Sequence, residues 1–566
     1  MPEAWLPRPV PPEAERLTAG GMPRRRAQLL AQRGIDSPSA AERFLSPSVD
    51  HLSGADALPG LNDALDLLAW ARSGGRRVVV FGDYDVDGIT ATALLVGTLE
   101  SLGFAVSWIL PSRRAEGYGL QVSHVRRVIA DGGGLLLTAD CGTGSLEAIA
   151  EADQHGLPVV VTDHHLPGAE LPAARAIVNP RLPGTPQAVQ ELSGAGVAAK
   201  LAAALFVASG RTPPWDGLLR LASLGTIADS VALRGENRTI ARLGLEALPL
   251  TPSPGLQALF ALAQLRAPFS ASDVAFRIGP RLNAPGRVGD PDVALELLLT
   301  RSEVRGRELA RQLEEANRER QRLERTVVEE SESRLAADER GDGVFVSWSE
   351  QWHRGVVGIA AGRLARRIGR PVVLFSCGAD GQAVGSGRSV EGIDLHRLVQ
   401  PAAELCLRFG GHAQAIGLTV ETSRLSLFAG RLAELSGAGA ADDVRQRTRW
   451  YDLDLDPAEV GSPLLADLAR LAPFGAGNPE PLFRIGPVRR SGAVRSFGNG
   501  HQSARARNDA GNEISLVAWA AEGAPEFAPL AEEGPFELLG AVEADRFESG
   551  ARVRVAAIRR WLGRTN

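Results

Sequence analysis

Three runs of β-branched and aliphatic residues each end abruptly in acids or imidazoles. RVVVFG runs into Asp83-Tyr84-Asp85-Val86-Asp87-Gly88, LLLTA into Asp140, and VVVT into Asp163-His164-His165. Runs that are continuously apolar, not alternating, fit strands buried on both faces, the habit of parallel sheets covered by helices. AVSWIL and RAIV extend the series, so that from about Arg76 to Val178 short β runs alternate with helical stretches. The spacing predicts βαβ units on a mostly parallel sheet. In such sheets ligands bind beyond the carboxyl ends of the strands, where these acids fall. Asp229, closing the apolar helical run in LGTIADS, adds another carboxylate. One acid after a strand commonly caps the next helix. Capping does not explain several carboxylates and two adjacent histidines on one edge, because packed like charges repel unless protonated or neutralised. Divalent cations are the simplest neutraliser, and oxygen-rich ligands with imidazole and no thiolate suit Mn²⁺ or Mg²⁺ better than structural zinc. Two such ions side by side favour phosphoester hydrolysis.

Composition narrows the class further. A chain of 566 residues implies three to four domains, and 44% hydrophobic with 23% charged residues is ample for several cores. Lys+Arg 62 against Asp+Glu 67 leaves a net charge of −5, which excludes a general polycation; any nucleic-acid binding is local. Cys141, Cys377 and Cys406 are too few and too widely spaced for a disulfide framework or a zinc cluster, and fit a reducing cytoplasm. The start, MPEAWLPRPVPPEAER, lacks a secretory pattern, and the most apolar stretch, Gly194 to Gly210, is short and holds Lys200. No membrane association is expected. Lys200 is the only lysine, and its setting, GAGVAAKLA, does not match GxxxxGK[ST]. A P-loop ATPase is thereby excluded.

Further along, Ser302 to Arg340 is charge-rich and free of proline, with Leu309, Leu313, Ala316, Leu323 and Val327 at helical spacing. It predicts one helix on the order of 50 Å long, a spacer between domains that packs one apolar stripe. GVFVSW and PVVLF then flank the helical IAAGRLARRIG, followed by glycine-rich turns at GSGRS and FGGH and a linker at Ser436 to Asp443. After Trp450 short strands recur between turns: YDLDLD, PLFRIG, GAVRSFG, SARARND, EISLVAWA, FELLGAV and RVRVAAI. They predict a small all-β barrel.

The motifs GDYDVDGITATALL, LLLTADCGT, VVTDHH and LGTIADS resemble the successive motifs of the DHH phosphoesterase superfamily. QWHRGVVGIAAGRLARRIGRPVVLF, GSGRS and FGGHAQAIG resemble its associated substrate-binding domain. These motifs occur in order over about 350 residues, which is far more specific than the three letters DHH. GDYDVDG, GPRLNAPGR, PFGAGNPEP and the trailing β module are most similar to the RecJ-type 5′→3′ single-strand DNA exonucleases, over nearly the whole chain. The resemblance implies an α/β fold: an N-terminal extension packing on the core (1–55), a parallel-sheet catalytic domain (56–301), a connecting helix (302–340), a smaller associated α/β domain (341–435) and an OB-like barrel (446–566).

It also implies a site. Asp83, Asp85 and Asp140 would hold one divalent cation, Mn²⁺ or Mg²⁺, and Asp87, Asp140, His164 and Asp229 a second, with Asp140 bridging. His165 would face the scissile phosphate, and Asp163 would orient the imidazoles. Arg113, Arg281, Asn283, Ser386, Arg388, Gly411 and His412 would meet the substrate, the arginines as forks on a terminal phosphate. Tyr118 and Trp352 could stack on bases, although core packing is the expected role of each alone. Arg281 could instead pair with nearby Asp290 or Asp292. In the barrel, Arg484, Arg489, Arg490, Arg495, Arg505 and Arg507 cluster around Phe497, but twelve arginines against ten acids from Pro481 onward give little net charge. His501-Gln502-Ser503 stands where the family often has His-Leu-Lys, and Arg505 or Arg507 could substitute for the lysine. The expected partners are single-stranded DNA, a single-strand binding protein and a repair helicase, acting on a monomer. The competing readings are a DHH phosphodiesterase for short oligonucleotides, cyclic dinucleotides or pyrophosphate, and a non-catalytic replication scaffold. The first leaves the barrel unexplained, and the second is expected to have lost ligands that are all present here.

Overall fold

The computed structural model describes residues 4–111, 119–336, 343–437, 448–498, 500–519, 524, 527–545 and 550–561. The predicted βαβ series forms a five-stranded, wholly parallel sheet in the order Val106–Ile109, Val78–Gly82, Leu135–Ala139, Val159–Thr162 and Ala176–Val178. Its three central strands are buried throughout, which explains why their sequences are continuously apolar. On one face lie helices Val86–Ser101 and Gly194–Ala208, whose leucines and alanines join Val78, Val80, Leu135 and Leu137 in the main core. Helices Val122–Ala130 and Leu146–Gln154 cover the other face with Val125, Val128, Ile149 and Ala152.

The long helix spans Glu303–Leu335, about 50 Å at the α-helical rise. It joins two cores. Leu309, Ala310 and Leu313 pack with the catalytic domain, whereas Val327 and Val328 pack with helix Val357–Ile368 of the next. That second domain is a five-stranded mixed sheet ordered Cys406–His412, Ala415–Glu421, Gln382–Arg388, Val372–Cys377 and Phe345–Ser349. GSGRS and FGGH therefore lie in or at the ends of strands, not in turns. Glycine serves close packing there: a Cβ on Gly385 would come 2.5 Å from the Phe375 ring, so its absence leaves room for the ring against the strand. Trp352 is buried and donates to Glu330 at 2.8 Å, a core role.

The barrel closes as expected. Strands Phe483–Arg490, Pro535–Ala544, Ala551–Arg560, Glu513–Ala518 and His501–Arg507 pair in sequence around the ring, and Arg489↔Arg507 with Arg490↔Ala506 seals it. The N-terminal segment reaches across to this module. Leu17, Leu29, Leu30 and Phe44 share one apolar cluster with Leu468, Phe483, Ile485 and Leu538, and strand Ala4–Pro7 pairs in parallel with Thr448–Tyr451. Buried Arg238 of the catalytic domain ties the pieces together, donating to the carbonyls of Phe44, Arg470 and Ala472. Among the described residues no helix is long and apolar enough to cross a membrane.

Candidate active site

Each strand end delivers its acid by ordinary local rules. Asp83 follows Val78–Gly82 directly, and Asp85 caps helix Val86–Ser101, its Oδ1 accepting from the Gly88 N–H at 3.0 Å. Asp87 sits in the first turn and is buried. Its oxygens accept from the N–H groups of Gly194 (2.6 Å) and Ala195 (2.9 Å), which start the neighbouring helix. Those donors favour the charged carboxylate but satisfy only part of it. Asp140 leaves Leu135–Ala139 with φ at +64°, a left-handed turn that a short polar residue tolerates and that aims its carboxyl at the same point. Asp229 arrives from elsewhere, as the C-terminal cap of helix Trp215–Ala228.

These groups converge on His164. Its Nε2 lies 3.1 Å from Asp140 Oδ1 and 3.7 Å from both Asp87 Oδ2 and Asp229 Oδ2. Ligand atoms of Asp83, Asp85 and Asp140 lie within 4.8 Å of one another, as do those of Asp87, His164 and Asp229, and those of Asp140, His164 and His165. Burial, then the neighbouring carboxylates, push Asp87 and Asp140 well above the usual carboxylate range. The same causes raise Asp229 to about 6, whereas burial and then the charge of His165 lower His164 to about 4.

Asp163 stands apart and organises the second imidazole. Its Oδ1 takes the backbone N–H groups of His164 (2.7 Å) and His165 (3.1 Å) and lies 2.7 Å from His165 Nδ1, while Oδ2 takes the Thr143 N–H at 2.9 Å. Burial alone would push Asp163 up; the bond and charge of His165 and the backbone donors outweigh it and hold the carboxyl below its ordinary range. His165 rises to about 9, its loss of water outweighed by Asp163. With Nδ1 committed to Asp163 and the side chain half-exposed, a ligand would meet the ring at Nε2.

A second group gathers at one end of the associated domain's sheet. Arg388 and His412 both lie opposite Ala415, with Gly411 opposite Ile416 and Ser386 opposite Gly417. The Ser386 hydroxyl and the Arg388 guanidinium lie over Gly358, in the first turn of helix Val357–Ile368, each 3.2 Å from where its Cβ would be. Arg287 donates to the Gly355 carbonyl, which joins this helix start to helix Gly279–Val288 of the catalytic domain. Gly286 of that helix packs on the Tyr84 carbonyl, between Asp83 and Asp85. Arg281 is on the same helix but turns to Glu314 of the long helix (2.7 Å) and the Arg277 carbonyl (2.7 Å), not to Asp290 or Asp292. Asn283 is half-buried there. Arg113 and Tyr118 lie outside the described residues.

Residues 77–226 match the DHH family, N-terminal domain; residues 341–436 match the DHHA1 domain, and residues 451–557 the RecJ OB domain. The single-stranded-DNA-specific exonuclease RecJ of Escherichia coli (strain K12) is 37% identical over 477 residues, covering 81% of this chain and 82% of that protein. The chain belongs to the RecJ family. RecJ of Bacillus subtilis (strain 168) is 35% identical over 457 residues, but this chain spans only 58% of its length. The crystal structure of RecJ in complex with Mn²⁺ from Thermus thermophilus superposes with a TM-score of 0.82 at 30% identity, covering 99% of this chain and 80% of that one. The Mg²⁺ complex from the same source gives 0.77.

The residues here fit such a cation. Asp140 Oδ1 is fully buried and accepts no hydrogen bond among the described residues, despite lying 3.1 Å from His164 Nε2. An orphaned acceptor in a cluster of raised carboxylates is explained by a cation that satisfies all of them. Two glycines keep the space. A Cβ on Gly194 would stand 2.6 Å from Asp140 Cβ and Cγ, and one on Gly225 would stand 2.6 Å from Thr90 Oγ1 and against Asp87. Sequence reading missed both glycines, because nothing in SGAG or LGTI links them to acids about 55 and 138 residues away. It also missed an aromatic group on the barrel, where His501, Phe497 and Trp519 meet edge to face at 4.8–6.0 Å with Phe497 and Trp519 exposed. Of the arginines expected to cluster with Phe497, Arg484 lies instead over the Tyr451 ring and is paired with Asp454, and Arg505 is paired with Glu513, which reduces the basic surface.

Proposed function

We propose that the chain hydrolyses single-stranded DNA from its 5′ end in a metal-dependent reaction that releases 5′-mononucleotides. The buried carboxylate cluster around Asp140, in a member of the RecJ family, carries this reading. Asp83, Asp85 and Asp140 would hold one divalent cation and Asp87, Asp140, His164 and Asp229 the other, Mn²⁺ or Mg²⁺. Bound there, the pair supplies Lewis acidity at the phosphoryl oxygens and lowers the pKa of attacking water. The protein's own groups do the rest. Asp163 fixes the His165 ring through Nδ1, so that Nε2 can donate to the scissile phosphate or to the leaving oxygen. Ser386, Arg388, Gly411 and His412, at one sheet end beside a helix N-terminus, suit a terminal phosphate. On the family resemblance, Arg113 is assigned to the same terminal phosphate and Tyr118 to stacking on a base. Arg281, tied to Glu314, is better placed to brace the helix that carries Asn283 toward the substrate. The strand beyond would run to the barrel, where Phe497 and Trp519 offer stacking faces.

In the cell we assign it to DNA repair and recombination as a monomer, with a single-strand binding protein and a repair helicase as partners. Strand separation generates its substrate, and coated single strands are the form that it would meet.

Timed digestion of linear strands labelled at either end, with Mn²⁺ and with chelator, tests the reading. Loss from the 5′ end only, abolished by chelator and absent for circular strands, is expected. Equal loss from 3′ ends or cleavage of circles would overturn it. Arg388→Ala should raise KM for 5′-phosphorylated strands far more than it lowers bound Mn²⁺.

A further inference from the structure

A cavity of about 540 Å³ opens beside His165, on the sheet face away from Asp87. The first turns of helices Val122–Ala130 and Leu146–Gln154 form its walls, buried Asp163 and half-exposed His165 lie on the side toward the carboxylates, and Leu166 stands at the mouth. It adjoins the carboxylate cluster through His165 and shares no lining residue with the Ser386/Arg388 group, and its size falls in the range of small-ligand pockets. Two large apolar side chains border it without being covered: Leu166 is 74% exposed and Leu146 39%. One exposed leucine means little. Two at the rim of a cavity that also touches the reacting imidazole form a surface for a flat apolar ring.

The polar side of the cavity is complementary. Ser145 does not cap helix Leu146–Gln154 with its side chain, so first-turn N–H groups are available as donors, and Glu147 offers an acceptor. Gly144 borders the same space, and a Cβ there would meet nothing within 4 Å. Apolar faces with a mixed donor and acceptor edge are the chemistry of a nucleobase.

We propose that this cavity takes the base of the nucleotide being removed. The proposal rests on the exonuclease reading: with the scissile phosphate at His165, the base of the departing nucleotide is one sugar away. Seating it there would align the phosphate with Nε2 and make terminal-base contacts a determinant of rate.

The test compares two 5′-phosphorylated single strands that differ only at the terminal nucleotide, thymidine in one and an abasic tetrahydrofuran in the other. The ratio of their kcat/KM values is measured in Mn²⁺ for the full-length protein. The wild-type chain should favour the thymidine strand by about tenfold or more, the scale of one stacked base. Leu146→Ala/Leu166→Ala should bring the ratio toward one by removing the faces, and Gly144→Phe should do so by filling the cavity. Circular dichroism and thermal melting confirm that each variant is folded; the exposed leucines keep the first variant usable if the second fails. A wild-type ratio near one, or folded variants that keep the wild-type ratio, would overturn the proposal and leave the nuclease reading intact. Failure of the wild-type protein to cleave either strand would overturn the nuclease reading itself.

Discussion

Replacing Gly194 with alanine should cut the rate of strand cleavage about a hundredfold while leaving the chain folded. The added methyl would stand 2.6 Å from Asp140 Cβ and Cγ and closer still to Oδ1, where ordinary contact begins at 3.4 Å, so one of the two must move by at least about 0.8 Å. Gly194 cannot move freely, because its N–H is bonded to Asp87. The displacement therefore falls on the carboxylate assigned to both cations. Misplacement of a reacting group by about 1 Å costs on the order of a hundredfold in rate, or about 2.7 kcal/mol at 1.36 kcal/mol per tenfold. Overpacking should cost only about 1–3 kcal/mol of stability. Single-turnover cleavage of a 5′-labelled strand in saturating Mn²⁺ measures the rate, and Mn²⁺ titration measures the affinity. Gly217→Ala is the control, since a Cβ at that helical position meets nothing within 4 Å. If Gly194→Ala cleaved at the wild-type rate with unchanged Mn²⁺ affinity, the argument that this glycine makes room for the metal cluster would fail.

Asp140→Ala should abolish cleavage with either Mn²⁺ or Mg²⁺ while strand binding in a gel-shift assay persists, because one carboxylate serves both proposed cation sites. Lys200→Met should destabilise the catalytic domain by about 3–5 kcal/mol in urea unfolding, since it strands buried Glu236, which also holds the Ser53 N–H. The double variant Lys200→Met/Glu236→Leu should recover much of that loss; no recovery would show that the pair does not act as a unit. Trp519→Ala should weaken binding of long single strands by about 1–3 kcal/mol and leave the log–log salt slope unchanged, because stacking releases no counterions. A changed slope would mean that Trp519 works through its neighbour Arg552.

What the sequence made legible was local. Asp83, Asp85, Asp87, Asp140 and the Asp163-His164-His165 triplet follow their strands within a few residues, so periodicity alone puts them on one edge. Asp229 was legible only as the end of a helix; its arrival near His164 depends on how Trp215–Ala228 packs against Val86–Ser101. Pairings over long separations left no local trace. Arg281 finds Glu314 on a helix 33 residues on, and His501 meets Trp519 because Gln502 pairs with Ala518 across two strands. Glycine misled for a physical reason. In GSGRS and FGGH it reads as a turn signal, but Gly385 and Gly387 are there because Phe375, Leu395 and Ile416 press against the strand.

The shared cluster of the N-terminal helices and the barrel sets a timetable for synthesis. Leu17, Leu29, Leu30 and Phe44 find their partners at Leu468, Phe483 and Leu538, more than four hundred residues later. At about 5–20 residues per second, the first helices emerge roughly 20–100 s before those partners exist. The catalytic sheet, whose strands all fall between Val78 and Val178, can assemble during that wait, while the leading segment keeps an apolar face in water. A nascent chain arrested before residue 480 should therefore bind a holdase chaperone through its first 45 residues, and release it once the barrel has been made.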